Sequence, residues 1–201
     1  MNILILGAGR SSSALIEYLI QYCWQSGHRL TVADASLVAA ETRVKGRAVA
    51  KAFHLEDPST IELISQADVV VSLLPAFLHI QIARHCLIFQ KHLLTASYIS
   101  EDMKELGDEA QKKGLVFLNE CGLDPGIDHM SAMQLIDDVT SKGGHITSFE
   151  SFTGGLIAPQ TAPENPWRYK FTWNPRNVVL AGQGTAKFLQ EGAYKYVPYH
   201  Q

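Results

Sequence analysis

Ile3-Leu4-Ile5-Leu6-Gly7-Ala8-Gly9-Arg10-Ser11-Ser12 is the stretch on which the fold turns. A continuous apolar run of this kind fills the centre of a parallel sheet, and a glycine turn follows it without a spacer. Leu15, Tyr18, Leu19 and Tyr22 then recur at i, i+3, i+4 and i+7, the spacing of a helix with one buried stripe. Strand, glycine turn and helix form the context that a dinucleotide-binding fingerprint requires. Gly7 permits the tight turn, and Gly9 lets the backbone approach a pyrophosphate. The N–H groups of residues 10 to 12 then point at that anion from the positive end of the helix. Ser12 stands where a third Gly or Ala is usual. It is small enough to keep the helix close to the strand, and its hydroxyl can cap the helix or touch phosphate. A purely structural turn would give the same short pattern, so the elements that follow carry the decision.

Leu30-Thr31-Val32-Ala33 reads as a second strand ending on Asp34. An acidic residue about 20 residues past the glycines accepts the adenosine ribose hydroxyls. A carboxylate there also repels a 2′-phosphate, by roughly 4 kcal/mol per unit charge at about 4 Å and an effective dielectric of about 20. Asp34, with Ala35 beside it, therefore favours NAD over NADP. Arg43, Lys45 and Arg47 argue the other way if their loop folds back over the phosphate; otherwise they form a solvated face.

The alternation continues along the chain. Ala48–Phe53 suits a third strand, followed by His54-Leu55 and a helix near Ser59–Ser65. Asp68–Pro75 gives a fourth strand with a proline stop, which makes Leu74 and Pro75 wall residues of a cofactor cleft. A helix over 77–90, a fifth strand at His92–Thr95, a helix over Glu101–Lys112 and a sixth strand at Leu115–Leu118 complete the series. Strands alternating with helices in this way imply an α/β fold, a doubly wound parallel sheet of the Rossmann type in the order 3-2-1-4-5-6. It is expected to occupy residues 1–123. Residues 124–201 would begin an α+β substrate and dimerisation domain, with strands at Phe149–Gly155, Tyr169–Trp173 and Val178–Ala181.

Composition narrows the class. At 201 residues, 46% hydrophobic, 18% charged and net charge −3, the chain resembles an ordinary soluble protein. Neither nucleic acid nor an anionic membrane is an expected partner. No apolar run approaches the roughly 18 residues of a membrane span, and the N-terminus does not read as a signal peptide. Cys23, Cys86 and Cys121 are odd in number and far apart, as in a reducing cytoplasm, and offer no zinc pattern. His79 and His85 lack metal-ligand spacing, so no metal is expected.

The densest chemistry lies in Asn119-Glu120-Cys121-Gly122-Leu123-Asp124-Pro125-Gly126-Ile127-Asp128-His129, directly after the sixth strand. The carboxyl ends of the strands are where ligands bind in open α/β sheets. Ser97-Tyr98 leaves the fifth strand toward the same edge. Asp124, before a proline, is extended or in a turn, and serves either as a helix N-cap or as a cofactor-side and catalytic group. Tyr98 is either a packed ring or a proton donor. Cys121 is expected in the core. A helix begins at Gly126, with Met130, Met133 and Leu135 on its apolar side, Asp128 complementing its dipole, and His129 either capped there or positioned for proton transfer.

Leu94-Thr95-Ala96-Ser97-Tyr98, the block from Asn119 to His129 and Asn165-Pro166-Trp167-Arg168-Tyr169-Lys170-Phe171 resemble saccharopine dehydrogenases of the glutamate-forming type. The Gly-Leu-Asp-Pro-Gly-Ile-Asp-His block is far more specific than the glycine fingerprint. The resemblance implies interconversion of saccharopine with glutamate and 2-aminoadipate 6-semialdehyde, by nicotinamide-dependent hydride transfer to an imine. It implies that Ser97, Tyr98 and Asp124 contact substrate, that Leu123, Asp124, Pro125, Gly126 and His129 line the nicotinamide end, and that His54, Leu55 and Leu74 line the cofactor cleft. Tyr98 and Asp124 are then the catalytic candidates, Asp124 on condition that the fold buries it. Saccharopine's three carboxylates need cationic and hydroxyl partners; Arg168 and Lys170 are the candidates, unless they are an exposed strand face.

The chain departs from the family pattern in three respects. Thr153 stands where many members carry a cysteine before paired glycines, and Asp34 stands where NADP-using members tend to be basic or neutral. The chain also ends, at Gln201, about halfway through the family's expected length. A cytoplasmic homodimer is the expected state. The alternatives are a nucleotide-binding, dimerising fragment without turnover and a related carboxynorspermidine dehydrogenase.

Overall fold

The computed structural model describes residues 1–152, 157–158, 160–161, 164–170, 175–176, 179 and 184–198. They form two compact units, Met1–Phe149 and Glu150–Gln201. The first is built on a six-stranded sheet in the order β3-β2-β1-β4-β5-β6, the order expected from the sequence. Its strands are β1 (Asn2–Leu6), β2 (Arg29–Asp34), β3 (Val49–Ala52), β4 (Val69–Ser72), β5 (His92–Thr95) and β6 (Phe117–Leu118). Every pairing is parallel.

Period-2 alternation divides the apolar run of β1 between two cores. Leu4 and Leu6 join Val70, Ile64, Ile82 and Leu93 on one face, under α3 (Pro58–Gln66) and α4 (His79–Phe89). Ile3 and Ile5 join Ile16, Ile20, Val32 and Val44 on the other, under α1 (Ser13–Ser26) and α2 (Leu37–Val44). Burial of both faces is what lets β1 be apolar at every position from Ile3 to Leu6.

The buried stripe of α1 is Ile16, Ile20 and Cys23, with Leu19 partly buried, and not the Leu15–Tyr22 series read from the sequence. Tyr18 and Tyr22 are exposed and stack on each other, ring centroids 6.4 Å apart. Both series have helical spacing; the branched aliphatic one fills the sheet-facing groove, and the amphipathic tyrosines take the wet side. Side chains place the helix starts. Ser36 Oγ accepts from Ala39 N at the start of α2, Asp57 accepts from Ser59 N ahead of Pro58 in α3, and Ser100 Oγ accepts from Met103 N in α5 (Glu101–Glu105). The helix expected over Glu101–Lys112 is broken at Leu106 into α5 and α6 (Gly107–Lys112).

Beyond β6 the chain enters α7 (Ile127–Ser141), which has no buried residue; Met130, Met133 and Leu135 are all exposed. No helix among the described residues is long and apolar enough to cross a membrane.

In the second unit, β7 (Ala186–Gln190) and β8 (Ala193–Val197) form an antiparallel hairpin, which the sequence reading missed. Its two-residue turn, Glu191-Gly192, has both φ angles positive, at 54° and 75°, as a tight hairpin requires. The strand expected at Phe149–Gly155 is absent over residues 149–152, and its remainder lies outside the described residues, as does Thr153. Of the strands expected at Tyr169–Trp173 and Val178–Ala181, Tyr169 makes only an isolated bridge and Val179 is helical; residues 171–173, 178 and 180–181 lie outside the described set.

Candidate active site

The glycine turn sits at the carboxyl end of β1, in the middle of the sheet. Gly7 has φ 108°, and a Cβ added there would lie 3.0 Å from the carbonyl oxygen of Leu73, so both backbone conformation and close approach demand glycine. Gly9 differs: an added Cβ would meet no atom within 4 Å. Packing within the protein does not explain this glycine, whereas a ligand approaching the backbone would. The N–H groups of Gly9, Arg10 and Ser11 have no hydrogen-bond partner among the described residues. The turn thus fits the pyrophosphate of a dinucleotide. Ser12 is buried and its hydroxyl donates to the carbonyl of Gly9 at 2.8 Å, so it braces the turn and does not cap α1.

Asp34, at the end of β2, is bound into the same turn. Its Oδ2 accepts from Ala8 N at 2.7 Å and its Oδ1 from Ser36 N at 2.9 Å; Ala35 beside it is exposed. Arg43 lies on α2, not on a loop, and donates from Nε to the Ala8 carbonyl at 3.2 Å and from Nη2 to that of Gly9 at 3.0 Å. A cation and a carboxylate therefore converge on Ala8. Arg47 points elsewhere, to Glu17 at 2.7 and 2.5 Å, and holds that carboxyl down to about 2. His54 is exposed, with its backbone closed on the Thr60 hydroxyl. Leu55 lines a groove of about 600 Å³ with Pro58, Ile61, His85, Ile88 and Phe89, and Leu74 packs against the core.

The polar block after β6 folds as a closed loop against β5. Glu120 N and Cys121 N donate to the carbonyls of Ser97 and Thr95, each at 3.1 Å, and Thr95 Oγ1 donates to Asn119 Oδ1 at 3.0 Å. Gly122 N donates to the Pro125 carbonyl at 2.8 Å, and Ile127 N to that of Gly122 at 3.0 Å. The two glycines of this block touch. A Cβ on Gly126, whose φ is 148°, would lie 2.7 Å from Gly122 N, and one on Gly122 would lie 3.1 Å from the carbonyls of Ala96 and Pro125. The Asp124–Pro125 peptide between them is cis.

The fold brings Tyr98 and Asp124 together: the phenol of Tyr98 donates to Asp124 Oδ1. That hydrogen bond, with partial burial and the charges of Asp124, Asp128 and Glu120, pushes the phenol up to about 12, so it stays protonated at neutral pH. Asp124 does not cap α7, whose N-cap is Gly126 without a side-chain bond, and it is exposed. The burial on which its proton-transfer role depends is not present among the described residues. Asp128 Oδ1 accepts from Gly126 N at 3.0 Å and pairs with His129 Nδ1 at 2.7 Å; this pairing raises the imidazole above its ordinary value. Ligand atoms of Asp124, Asp128 and His129 lie within 4.8 Å of one another, and each already has a partner within the protein, Asp128 and His129 in each other and Asp124 in Tyr98. Cys121, expected in the core, is exposed, because nothing among the described residues covers that side of the loop. Leu123 is exposed and Pro125 buried.

Sequence reasoning missed a buried relay beneath this loop. His79, 4% exposed at the start of α4, bonds through Nδ1 to Ser72 Oγ on β4 and through Nε2 to Ser97 Oγ after β5, both at 2.9 Å. A serine closing the apolar run Val69-Val70-Val71 and a histidine opening the next helix were the available signal. Arg168 and Lys170 belong to the second unit and are exposed; Arg168 has φ 49° and bonds by its backbone to Ile157 and Asn165.

Comparisons with known proteins place the chain in a family. Residues 3–118 match the saccharopine dehydrogenase NADP binding domain family, and residues 122–201 the saccharopine dehydrogenase C-terminal domain family. Similar proteins include an alpha-aminoadipic semialdehyde synthase of Arabidopsis thaliana, 38% identical over 95% of this chain and 20% of that protein. An NADP(+), L-glutamate-forming saccharopine dehydrogenase of Schizosaccharomyces pombe is also 38% identical, over 95% of this chain and 42% of that one. Apo saccharopine dehydrogenase (L-Glu forming) of Saccharomyces cerevisiae superposes with TM-score 0.84 at 35% identity, covering 99% of this chain and 44% of that one. The chain thus spans less than half the length of these relatives. NADP, and not NAD, is the cofactor named in these matches, so the preference for NAD drawn from Asp34 finds no specific support.

Proposed function

The chain belongs to the saccharopine dehydrogenase family, and from that premise we propose that it interconverts saccharopine with glutamate and 2-aminoadipate 6-semialdehyde, using NADP(H). Bound NADPH supplies a hydride to the imine carbon. The protein's own part is to bind, orient and handle protons. In this reading the free N–H groups of Gly9, Arg10 and Ser11 hold the pyrophosphate, and Asp34 and Arg43 flank the adenosine ribose. Residues 123–129 line the nicotinamide end, with His54, Leu55 and Leu74 along the cleft.

Ser97 and Tyr98 hold substrate. The observation that carries the reading is the Tyr98–Asp124 bond at the carboxyl ends of β5 and β6, beside Ser97. With its phenol kept protonated, Tyr98 gives that proton to the carbinolamine hydroxyl, which leaves as water as the C–O bond breaks and the iminium forms, and Asp124 takes part as its hydrogen-bonded partner. Arg168 and Lys170 contact substrate carboxylates, and the functional boundary falls after residue 123. A cytoplasmic homodimer completes the proposal; the exposed apolar side chains of α7 are surface that a second copy would cover.

The test follows NADPH and NADH oxidation with glutamate plus the semialdehyde. Turnover that falls at least about tenfold in Tyr98→Phe and Asp124→Ala supports the assignment; unchanged turnover in both removes it. Cofactor binding without turnover, alongside activity in a longer form, supports the alternative of a non-catalytic nucleotide-binding fragment. Failure to bind either cofactor overturns both.

A further inference from the structure

The relay from Ser72 through His79 to Ser97 fixes the direction of a hydroxyl that the proposed reaction uses. Ser72 is fully buried, and His79 Nδ1 is the one hydrogen-bond partner of its Oγ among the described residues. A buried hydroxyl proton requires an acceptor, so Ser72 donates and Nδ1 accepts. A neutral imidazole that accepts at Nδ1 carries its proton at Nε2. Nε2–H then donates to Ser97 Oγ, 2.9 Å away. Ser97 thereby receives a hydrogen bond from the protein's interior and keeps its own proton for the partly open side, next to Tyr98. The opposite tautomer would draw the Ser97 proton inward and turn only lone pairs outward. Such a serine would repel a carboxylate; the donating one binds it. No charged side chain takes part in the relay, so the polarity is set by burial and by Ser72 alone.

We propose that His79 is a positioning residue, locked by Ser72 as the Nε2–H tautomer, which turns the Ser97 hydroxyl outward as a donor to a substrate carboxylate. The proposal rests on the reading of Ser97 as a substrate contact, but the tautomer it requires does not depend on any substrate.

The experiment has two arms. Nitrogen-15 NMR of histidine-labelled chain, with the His79 signal assigned by its loss in His79→Gln, reads the tautomer directly. Protonated Nε2 and bare Nδ1 at neutral pH are expected; the reverse overturns the proposal. In Ser72→Ala the lock is gone and the Nε2–H preference should weaken; an unchanged tautomer would show that Ser72 does not set it. The second arm measures saccharopine binding in the presence of NADPH. His79→Gln, whose side-chain amide still donates near the position of Nε2, is expected within about twofold of the parent. His79→Phe should lose about tenfold, the scale of one hydrogen bond to a charged group. Unchanged NADPH affinity in both variants shows that the nucleotide domain is folded. Equal saccharopine affinity in His79→Phe and the parent refutes the positioning role. Should the parent bind no saccharopine, the proposed function falls, and the tautomer alone decides which way Ser97 points.

Discussion

His79 should make the first unit lose stability as the solution is acidified. Burial is the sole cause that pushes its imidazole down, from 6.5 to about 4; with a residue only 4% exposed and bonded at both ring nitrogens to neutral hydroxyls, the folded state holds it uncharged. In the unfolded chain it takes up a proton near the ordinary histidine value. The unfolded state therefore binds more protons between these values, and folding stability rises with pH across the window. The contribution is fully present above about 6.5 and is lost as pH falls toward about 4. Each pH unit crossed between the two values is worth roughly 1.4 kcal/mol, so acidification from about pH 7 to about pH 5 should cost about 2 kcal/mol from this residue. In a unit of this size that lowers the melting temperature by about 4–8 °C. Urea unfolding of the parent and of His79→Gln at a series of pH values checks this. The variant should be less stable at neutral pH yet flatter across the acid window, the two curves converging by about 2 kcal/mol. Parallel curves would show that folding leaves the titration of His79 unshifted, and would remove burial as the reason the imidazole stays uncharged in the acid window.

Gly126→Ala should destabilise the first unit by about 3 kcal/mol or more, because the added methyl meets the Gly122 backbone at a φ that disfavours alanine; Gly9→Ala, with open space around it, should leave urea stability within about 1 kcal/mol of the parent while weakening NADPH binding. Titration of Arg43→Ala with NADPH and NADH should show about a tenfold loss for the former and little for the latter; equal losses would mean that Arg43 braces the turn without meeting the 2′-phosphate. Asp128→Asn should lower the NMR titration midpoint of His129, whose imidazole Asp128 holds above its ordinary value. The stability this pair contributes is present at low pH and lost as pH rises through the midpoint, so the variant's deficit should shrink in alkaline solution.

The sheet was legible because its signals are local. Apolar runs, glycine turns and helical spacing each act within about ten residues of chain, and the strand order follows from the rules of parallel crossovers. The α1 stripe was misplaced because Leu15-Tyr18-Leu19-Tyr22 and Ile16-Ile20-Cys23 have equally good helical spacing, and only contact with β1 and β2 chooses between them. Cys121 was expected inside on the average behaviour of cysteine, but it falls just past an edge strand of two residues. Tyr98 and Asp124 were each named, yet their bond joins two loops whose approach depends on the glycine pair at 122 and 126. The relay was invisible for a similar reason: Ser72, His79 and Ser97 come from three successive elements, and nothing in their spacing announces a shared point. The hairpin at Ala186–Val197 carried only half of its turn signal: Gly192 suits a tight turn, but Glu191, which also takes a positive φ, is not a residue that favours one.

Cofactor choice shows most clearly how far a local rule reaches. A carboxylate after the second strand repels a phosphate on the ribose by roughly 4 kcal/mol per unit charge under the conditions assumed for Asp34. The rule treats that charge as isolated. Here both Asp34 oxygens already accept backbone N–H groups, and the guanidinium of Arg43 bonds to the carbonyl of the same Ala8 whose N–H Asp34 holds. A phosphate arriving near Ala8 would feel a unit positive charge as well as the negative one. At comparable distances the two Coulomb terms nearly cancel, and a guanidinium adds directional hydrogen bonds that a carboxylate cannot give to an anion. The balance is then decided by which group the phosphate touches, so Asp34 cannot exclude NADP by charge alone. Arg43 reaches the turn only because α2 packs its Ala40–Val44 face on the sheet, leaving the neighbouring arginine to lie along Ala8 and Gly9. That orientation is a tertiary fact, and it offsets the repulsion on which the preference for NAD rested.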